Sequence, residues 1–460
     1  MKKLAFLIIS VGFLIISCNN GKEKPVEEDL PKKEIREYGG TFRMSQNDYL
    51  KTIYPPAVID IYSNNVSSQV FEGLLKLSVR DMSVIPSLAE KWEIDSSGLV
   101  YTFFLKKGVK FHNDPCFPNG KGREFKASDV KFSVENLCKQ SPDNFLFEIT
   151  LKDKLLGAEK YYEASANGKT PAFDLEGIKV VDDYTIQLIL ESPNSSFLYI
   201  LSMSAVGILP PEGVEKYGSK VTVGTGPFFI PKGENISGDK FVLVKNTEYH
   251  GVDSLGNKLP FLDTLQVMVL NSKKAELEEF RNGNLDLVIG LPPESIKEIV
   301  EEQITEFQSK PAIFFLDRSS EISTEYYSFN LTRKIFKDKK VRQAFNYAID
   351  RNLIIDEVLK GEAFGPGEFG ITPPSIKGYD VSKIKGYQFD VQKAKQLLAE
   401  AGYPDGIGFP PVKLELNSGG LKNTNIAIEI QKQLMKNLGV KIELKIESFN
   451  QKLEDERYGR

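Results

Sequence analysis

Hydrophobic positions in segment 336–351, FKDKKVRQAFNYAIDR, fall at helical spacing. Val341, Ala344, Phe345 and Ala348 stand at i, i+3, i+4 and i+7, which places them on one helix face. Asp338 is positioned to cap the start. Asp350, Arg351 and Asn352 break the pattern before a second apolar helix at 353–359, which stops at Gly361. Earlier in the chain, alternation at Tyr101, Phe103 and Leu105 predicts a strand, followed by a turn and a second strand at 106–112. Further strands are expected at 39–44, 185–190 and 265–270, an amphipathic helix at 127–137, and irregular backbone at 53–65, which carries Pro55 and Pro56. After residue 270 the pattern becomes βα repetition. Helices are expected at 274–281, 391–401 and 425–438, and strands at 285–289, 326–330, 412–416 and 440–446. The last strand, helix and strand form a βαβ unit, which implies parallel strands and a right-handed crossover.

A chain of 460 residues exceeds one compact core, so two or three lobes are expected. A formal charge of −4 argues against a nucleic-acid partner. Lys2 and Lys3 precede an apolar stretch at 4–16 that is short for a membrane span, and residues 14–18, LIISC, resemble a bacterial lipobox. Residues 1–17 are then a signal peptide, Cys18 the lipidated residue, and 18–38 the anchor and its charged tether. The address is the cell envelope, periplasmic or on the outer cell surface. Cys116 and Cys138 remain, and an exported chain meets oxidising conditions. A disulfide closing the loop between them and a pair of reduced buried thiols are both open readings.

Several motifs occur in a telling order: Glu72-Gly73-Leu74, then Ala89-Glu90-Lys91-Trp92, then the pair of strands in 103–111, then the Asp129-Val130 helix. Gly224-Thr225-Gly226-Pro227-Phe228, 246–249 and 259–263 follow, and 336–351 closes the series. In this order they resemble the family 5 extracellular solute-binding proteins, the oligopeptide, dipeptide and nickel receptors of bacterial ABC importers. Two glycines in 224–226 are expected to supply positive φ. Lys106 stands where the family usually has Arg, and segment 113–123 is longer than usual; both changes are expected to be tolerated at a surface.

The resemblance implies an α/β, two-lobed periplasmic-binding-protein-like fold of type II. Lobe I would comprise 39–68 and 193–270, with a subdomain inserted at 69–192, and lobe II would comprise 271–460. It implies a monomer that binds peptides in the cleft between lobes and hands them to an ABC permease and ATPase complex. Such a peptide would be held by main-chain hydrogen bonds and paired termini. By position, Ile59, Asp60, Ile61, Tyr62, Asn144 and Phe145 match ligand-contact loops of lobe I. Tyr326, Tyr327 and Asn330 lie by the marker helices of lobe II, and Lys422 sits in a Gly-Gly-x-Lys-Asn loop. Adjacent tyrosines on a strand face opposite ways, so only one of that pair is expected to line the cleft. Relatives continue for about a hundred residues past the point matching Arg460, the scale of a small domain. Lobe II is therefore expected to be incomplete, with an exposed sheet edge and a looser hinge.

Enzyme readings find no support. Gly365-Pro366-Gly367-Glu368-Phe369-Gly370 is a literal GxGxxG, but Pro373 and Pro374 bar the helix that a dinucleotide loop requires. His112 and His250 are the only histidines and lack ligand spacing, so no metal or cofactor is expected. No nucleophile elbow or P-loop occurs, and the acidic residues show no pattern assigning a glycosidase pair. The rivals are a receptor for a nickel chelate, oligosaccharide or haem, a signalling or adhesion lipoprotein that reuses the fold, and a fragment without function.

Overall fold

The computed structural model describes residues 37–292, 295–296, 315–317, 321–376, 379–417 and 421–459. The signal and lipobox segment, with Cys18 and nearly all of the tether, lies outside the described residues. The strands are β1 (Thr41–Gln46), β2 (Leu75–Leu77), β3 (Val84–Pro86), β4 (Ala89–Ile94), β5 (Val100–Leu105), β6 (Ile178–Asp182), β7 (Thr185–Ile189), β8 (Phe228–Phe229), β9 (Lys240–Lys245), β10 (Thr264–Val269), β11 (Val412–Asn417) and β12 (Ile442–Glu447). Helices of nine or more residues are α1 (Ile61–Val70), α2 (Ala127–Leu137), α3 (Lys273–Arg281), α4 (Lys339–Ala348), α5 (Val391–Glu400), α6 (Leu421–Leu438) and α7 (Phe449–Tyr458).

Two four-stranded sheets build the first half. One has the order β1-β10-β9-β8, with β1 and β10 parallel, and the other is antiparallel in the order β4-β5-β7-β6. Alternation in β5 turns Tyr101, Phe103 and Leu105 inward, where Ile186 and Leu188 of β7 join Val130, Val134 and Leu137 of α2. The residues expected to form a subdomain thus carry their own sheet. They nevertheless share one apolar core with the other sheet, which contributes Phe241, Leu243 and Val267.

A second core shares no residue with the first. Val341, Ala344, Phe345 and Ala348 of α4 are all buried in it, beside Ala394, Leu397 and Leu398 of α5 and Ile430, Leu434 and Leu438 of α6. Each large apolar side chain buried this way stabilises by about 1.5–3 kcal/mol. Asp338 caps α4 by accepting from Lys340 N at 2.8 Å. β11, α6 and β12 form the expected parallel βαβ unit. The break after α4 is stitched to α6, because Asp350 N donates to Gln433 Oε1 at 2.6 Å and Asn437 Nδ2 to Ala348 O at 2.8 Å.

Several expectations need correction. Residues 285–289 are not a strand, because the Asp286 carboxylate takes the ladder position that a carbonyl would occupy. Arg43 N donates to Asp286 Oδ2 at 2.8 Å while Asp286 N donates to Arg43 O, and the pairing goes no further. Residues 326–330 belong to no strand, and the second strand of 106–112 is reduced to a single bridge between Lys110 and Glu124. The helix expected at 353–359 is a short turn, Arg351–Leu353, followed by a π-helical turn, Ile354–Val358. Irregular backbone ends at Asp60, where α1 begins. Segment 271–286, expected in lobe II, bonds to β1 of the first sheet through Glu276 of α3 and through Asp286.

Segment 113–123 lies at the surface, as expected, but is pinned at Phe117 and Arg123. Phe117 is buried and stacked on Phe111, and Arg123 binds Asp129 of α2 at 2.7 Å and Glu212 at 2.6 Å. Cys116 and Cys138 are free thiols, so no disulfide closes that loop. Cys138 is buried at the end of α2, and burial raises its pKa; burial and Asp114 push Cys116 up to about 12.

Nor do the two glycines of 224–226 adopt positive φ. They are needed for close approach: a Cβ at Gly224 would lie 2.0 Å from Val70 O, and one at Gly226 2.3 Å from Gln69 O. We expect Gly224→Ala to destabilise the first core by on the order of 3 kcal/mol in urea unfolding. Arg123→Met leaves buried Asp129 without its cation and is expected to cost about 3 kcal/mol by the same assay. A midpoint unchanged from wild type would contradict either statement.

Candidate functional site

The first group of candidate residues gathers at the start of α1. Asp60 is buried and spends Oδ1 as the helix cap, accepting from Ser63 N at 2.9 Å. That leaves Ile59 and Ile61 on either side 45 % and 61 % exposed. Phe145 N donates to Pro56 O at 3.0 Å, which brings the second loop to the same rim, and Phe145 is 43 % exposed. Asn144 holds that loop in place by donating Nδ2 to Leu137 O at 2.7 Å and Lys139 O at 2.8 Å beyond α2. Its side chain is therefore a loop brace, while Ile59, Ile61 and Phe145 are exposed beside it. Tyr62 is half-buried, and its pKa is raised by burial and by Asp48, Asp60 and Glu276.

The second group belongs to the other core. Tyr326 and Tyr327 are both exposed, at 62 % and 40 %, on backbone that forms no strand, so strand alternation does not choose between them as cleft-lining residues. Burial and Glu325 raise the Tyr327 pKa. Asn330 donates to Gly459 O at 3.0 Å and accepts from Thr332 N at 3.0 Å, so its amide is committed to a turn. Lys422 lies in the first turn of α6 rather than in a loop, with Nζ 3.9 Å from Glu362 Oε2. The preceding Gly419 and Gly420 lie outside the described residues.

Sequence reasoning missed a polar cluster that places the first rim. Glu72 is 7 % exposed and accepts from His250 Nε2 at 2.9 Å, Thr225 Oγ1 at 3.0 Å, Tyr249 Oη at 3.1 Å and Ser87 Oγ at 3.3 Å. Burial alone would raise this carboxyl, but the hydrogen bond and field of His250, with Thr225 and Lys76, outweigh it and lower the pKa. A glutamate inside the apolar run 70–75 was the available signal. His112, 4 % exposed, is neutral: Nε2 donates to Gly226 O at 2.9 Å, Nδ1 accepts from Gly224 N at 3.3 Å, and burial lowers its pKa to about 4. Glu415, Glu447 and Asp455 lie close enough together to hold a metal ion, but their carboxylates surround the ammonium of Lys445 at 3.2, 2.7 and 3.2 Å.

Residues 83–460 match the profile of the bacterial extracellular solute-binding proteins, family 5. The chain belongs to this family. Heme-binding protein A of Haemophilus influenzae is 32 % identical over 361 residues, covering 76 % of this chain and 60 % of that protein. The glutathione-binding protein GsiB of Salmonella choleraesuis is 30 % identical over 358 residues, covering 77 % and 60 %. This family 5 chain thus matches about 60 % of the length of those relatives. Among solved structures, the periplasmic binding protein DppA of Helicobacter pylori in complex with the peptide STSA superposes with a TM-score of 0.72 at 26 % identity, covering 91 % of this chain and 76 % of that one. The Borrelia burgdorferi oligopeptide-binding protein OppAIV gives 0.72 at 27 % identity, covering 91 % and 78 %. The two-lobed α/β fold follows, and so does a family of solute binders rather than of enzymes. Among the described residues no helix is long and apolar enough to cross a membrane.

The two buried groups give stability a definite pH dependence. His112 is harder to protonate folded than unfolded, so its contribution is complete above about pH 6.5 and is lost as pH falls to 4. Glu72 has a lowered pKa, so its contribution is lost at still lower pH. We expect wild-type unfolding free energy to drop by about 3 kcal/mol between pH 6.5 and 4 on account of His112. The variant His112→Asn should be less stable at pH 7 but flatter across that range. A parallel slope in the variant would contradict the assignment.

Proposed function

We propose that the chain is the substrate-binding lipoprotein of an ABC importer, receiving peptides between its two cores and delivering them to a membrane permease served by an ATPase. Residues 1–17 direct export, Cys18 carries the lipid anchor, and the remainder of 18–38 is the tether. Residues 39–68 and 193–286 form lobe I, 69–192 the inserted subdomain, and the following residues lobe II, the protein acting as a monomer at the cell envelope. The observation that carries this reading is the division into two cores without a shared buried residue, each presenting exposed aromatic or apolar candidates. Phe145, Ile59 and Ile61 offer contact area without net charge, which suits a ligand held mainly by its backbone. The neighbour solved with the peptide STSA and the glutathione-binding relative, whose ligand is itself a peptide, support this class.

Haem is the rival that a relative's name raises. It gains little here, because both ring nitrogens of His112 are engaged and Nε2 of His250 is bound to Glu72. Calorimetry on the purified chain with a set of di- to pentapeptides, glutathione and haem tests the proposal. The expected result is peptide binding that Phe145→Ala weakens about tenfold, or about 1.4 kcal/mol. Binding of haem with no response to any peptide would overturn it.

A further inference from the structure

The chain leaves the first core through the segment after α3, and a few polar contacts fix that exit. Arg43 of β1 holds Asp286 through Nε at 3.0 Å and Nη2 at 2.6 Å, and donates Nη1 to Gly283 O at 2.7 Å. Three residues further on, Ile289 O accepts from Lys273 Nζ at 2.7 Å. The same ammonium lies 2.6 Å from Glu276 Oε2. Glu276 is 3 % exposed, and its other oxygen accepts from Ser45 Oγ of β1 at 2.7 Å. Its charge also reaches Tyr62, so this arrangement stands beside the rim described above.

Gly290 follows with φ of +74°, and a Cβ placed there would lie 3.5 Å from Glu362 Oε1 of the second core. Among the described residues, Ile289 is thus the last backbone group of this segment bonded to a side chain of the first core. We propose that Lys273 and Glu276 form a strut that fixes the exit at Ile289 and so limits how far the second core can swing relative to the first. The buried carboxylate, anchored to β1, positions the ammonium; the ammonium positions the carbonyl. Neither Arg43 nor Asp286 can substitute, because their contacts end at Asp286, before the exit.

This inference rests on the reading that the two cores move against each other around a ligand, but its test needs no ligand. Amide hydrogen exchange on the intact chain is compared for wild type, Lys273→Met and Glu276→Gln, with small-angle scattering in parallel. Both variants are expected to exchange amides 287–291 at least tenfold faster, with β5, β7 and α4 unchanged, and to show a broader distribution of overall dimensions. Glu276→Gln keeps the shape of the buried side chain and guards against a folding defect in the other variant. Unchanged exchange at 287–291 would overturn the proposal. So would equal acceleration throughout the first core, which would make Lys273 an ordinary stabilising contact. Absence of peptide binding would count against the proposed function and leave the exchange result standing.

Discussion

Glu72 is a carboxylate inside an apolar core, and the groups that answer it come from distant parts of the chain. His250 and Tyr249 arrive from beyond β9, Thr225 from the glycine turn, and Ser87 from the segment before β4. An unpaired charge at that depth would cost several kcal/mol, so these elements are constrained to meet. The glycine turn meets the same demand from its other side. Gly226 N donates to Val70 O at 2.9 Å, and His112 reads the backbone of both Gly224 and Gly226. The C-terminal end of α1 is therefore fixed by contacts that tolerate no added methyl group.

Fixing that end of α1 fixes the other. Asp60 caps the helix, and the exposed isoleucines beside it are presented at a defined place, next to Phe145. The candidate rim of the first core is thus a consequence of buried polar chemistry at the far end of one ten-residue helix. The second core is organised differently. Its helices α4, α5 and α6 pack on one another through one-sided apolar faces, α6 also covers the two-stranded parallel sheet, and polar stitches such as Asn437 to Ala348 O hold the chain break after α4. Its candidate residues sit on less constrained backbone, which is why Tyr326 and Tyr327 are both open to solvent.

Legibility in the sequence followed the same divide. Elements whose side chains sort cleanly between core and solvent were readable: α2, α4 and α5, β5, β7 and the final βαβ unit lie within a few residues of expectation. One failure came from a side chain standing in for backbone. Asp286 replaces a carbonyl at the edge of β1, and the alternation of 285–289 carried no hint of it. Glycines 224 and 226 are easily read as turn formers, whereas their reason is the approach of α1, a contact visible only once the chain is folded. Among the site residues, sequence position identified a rim but could not tell ligand contacts from braces. Asn144 and Asn330 are spent on neighbouring carbonyls, whereas Ile59, Ile61, Phe145, Tyr326 and Tyr327 remain exposed.

The central claim is that one solute is gripped by both cores at once. Amide exchange of the chain with and without a saturating peptide tests it most directly. The account predicts slower exchange at 59–62 and 144–145 in the first core together with slower exchange at 324–330 and 421–423 in the second. Protection confined to a single core, at saturation, would contradict it.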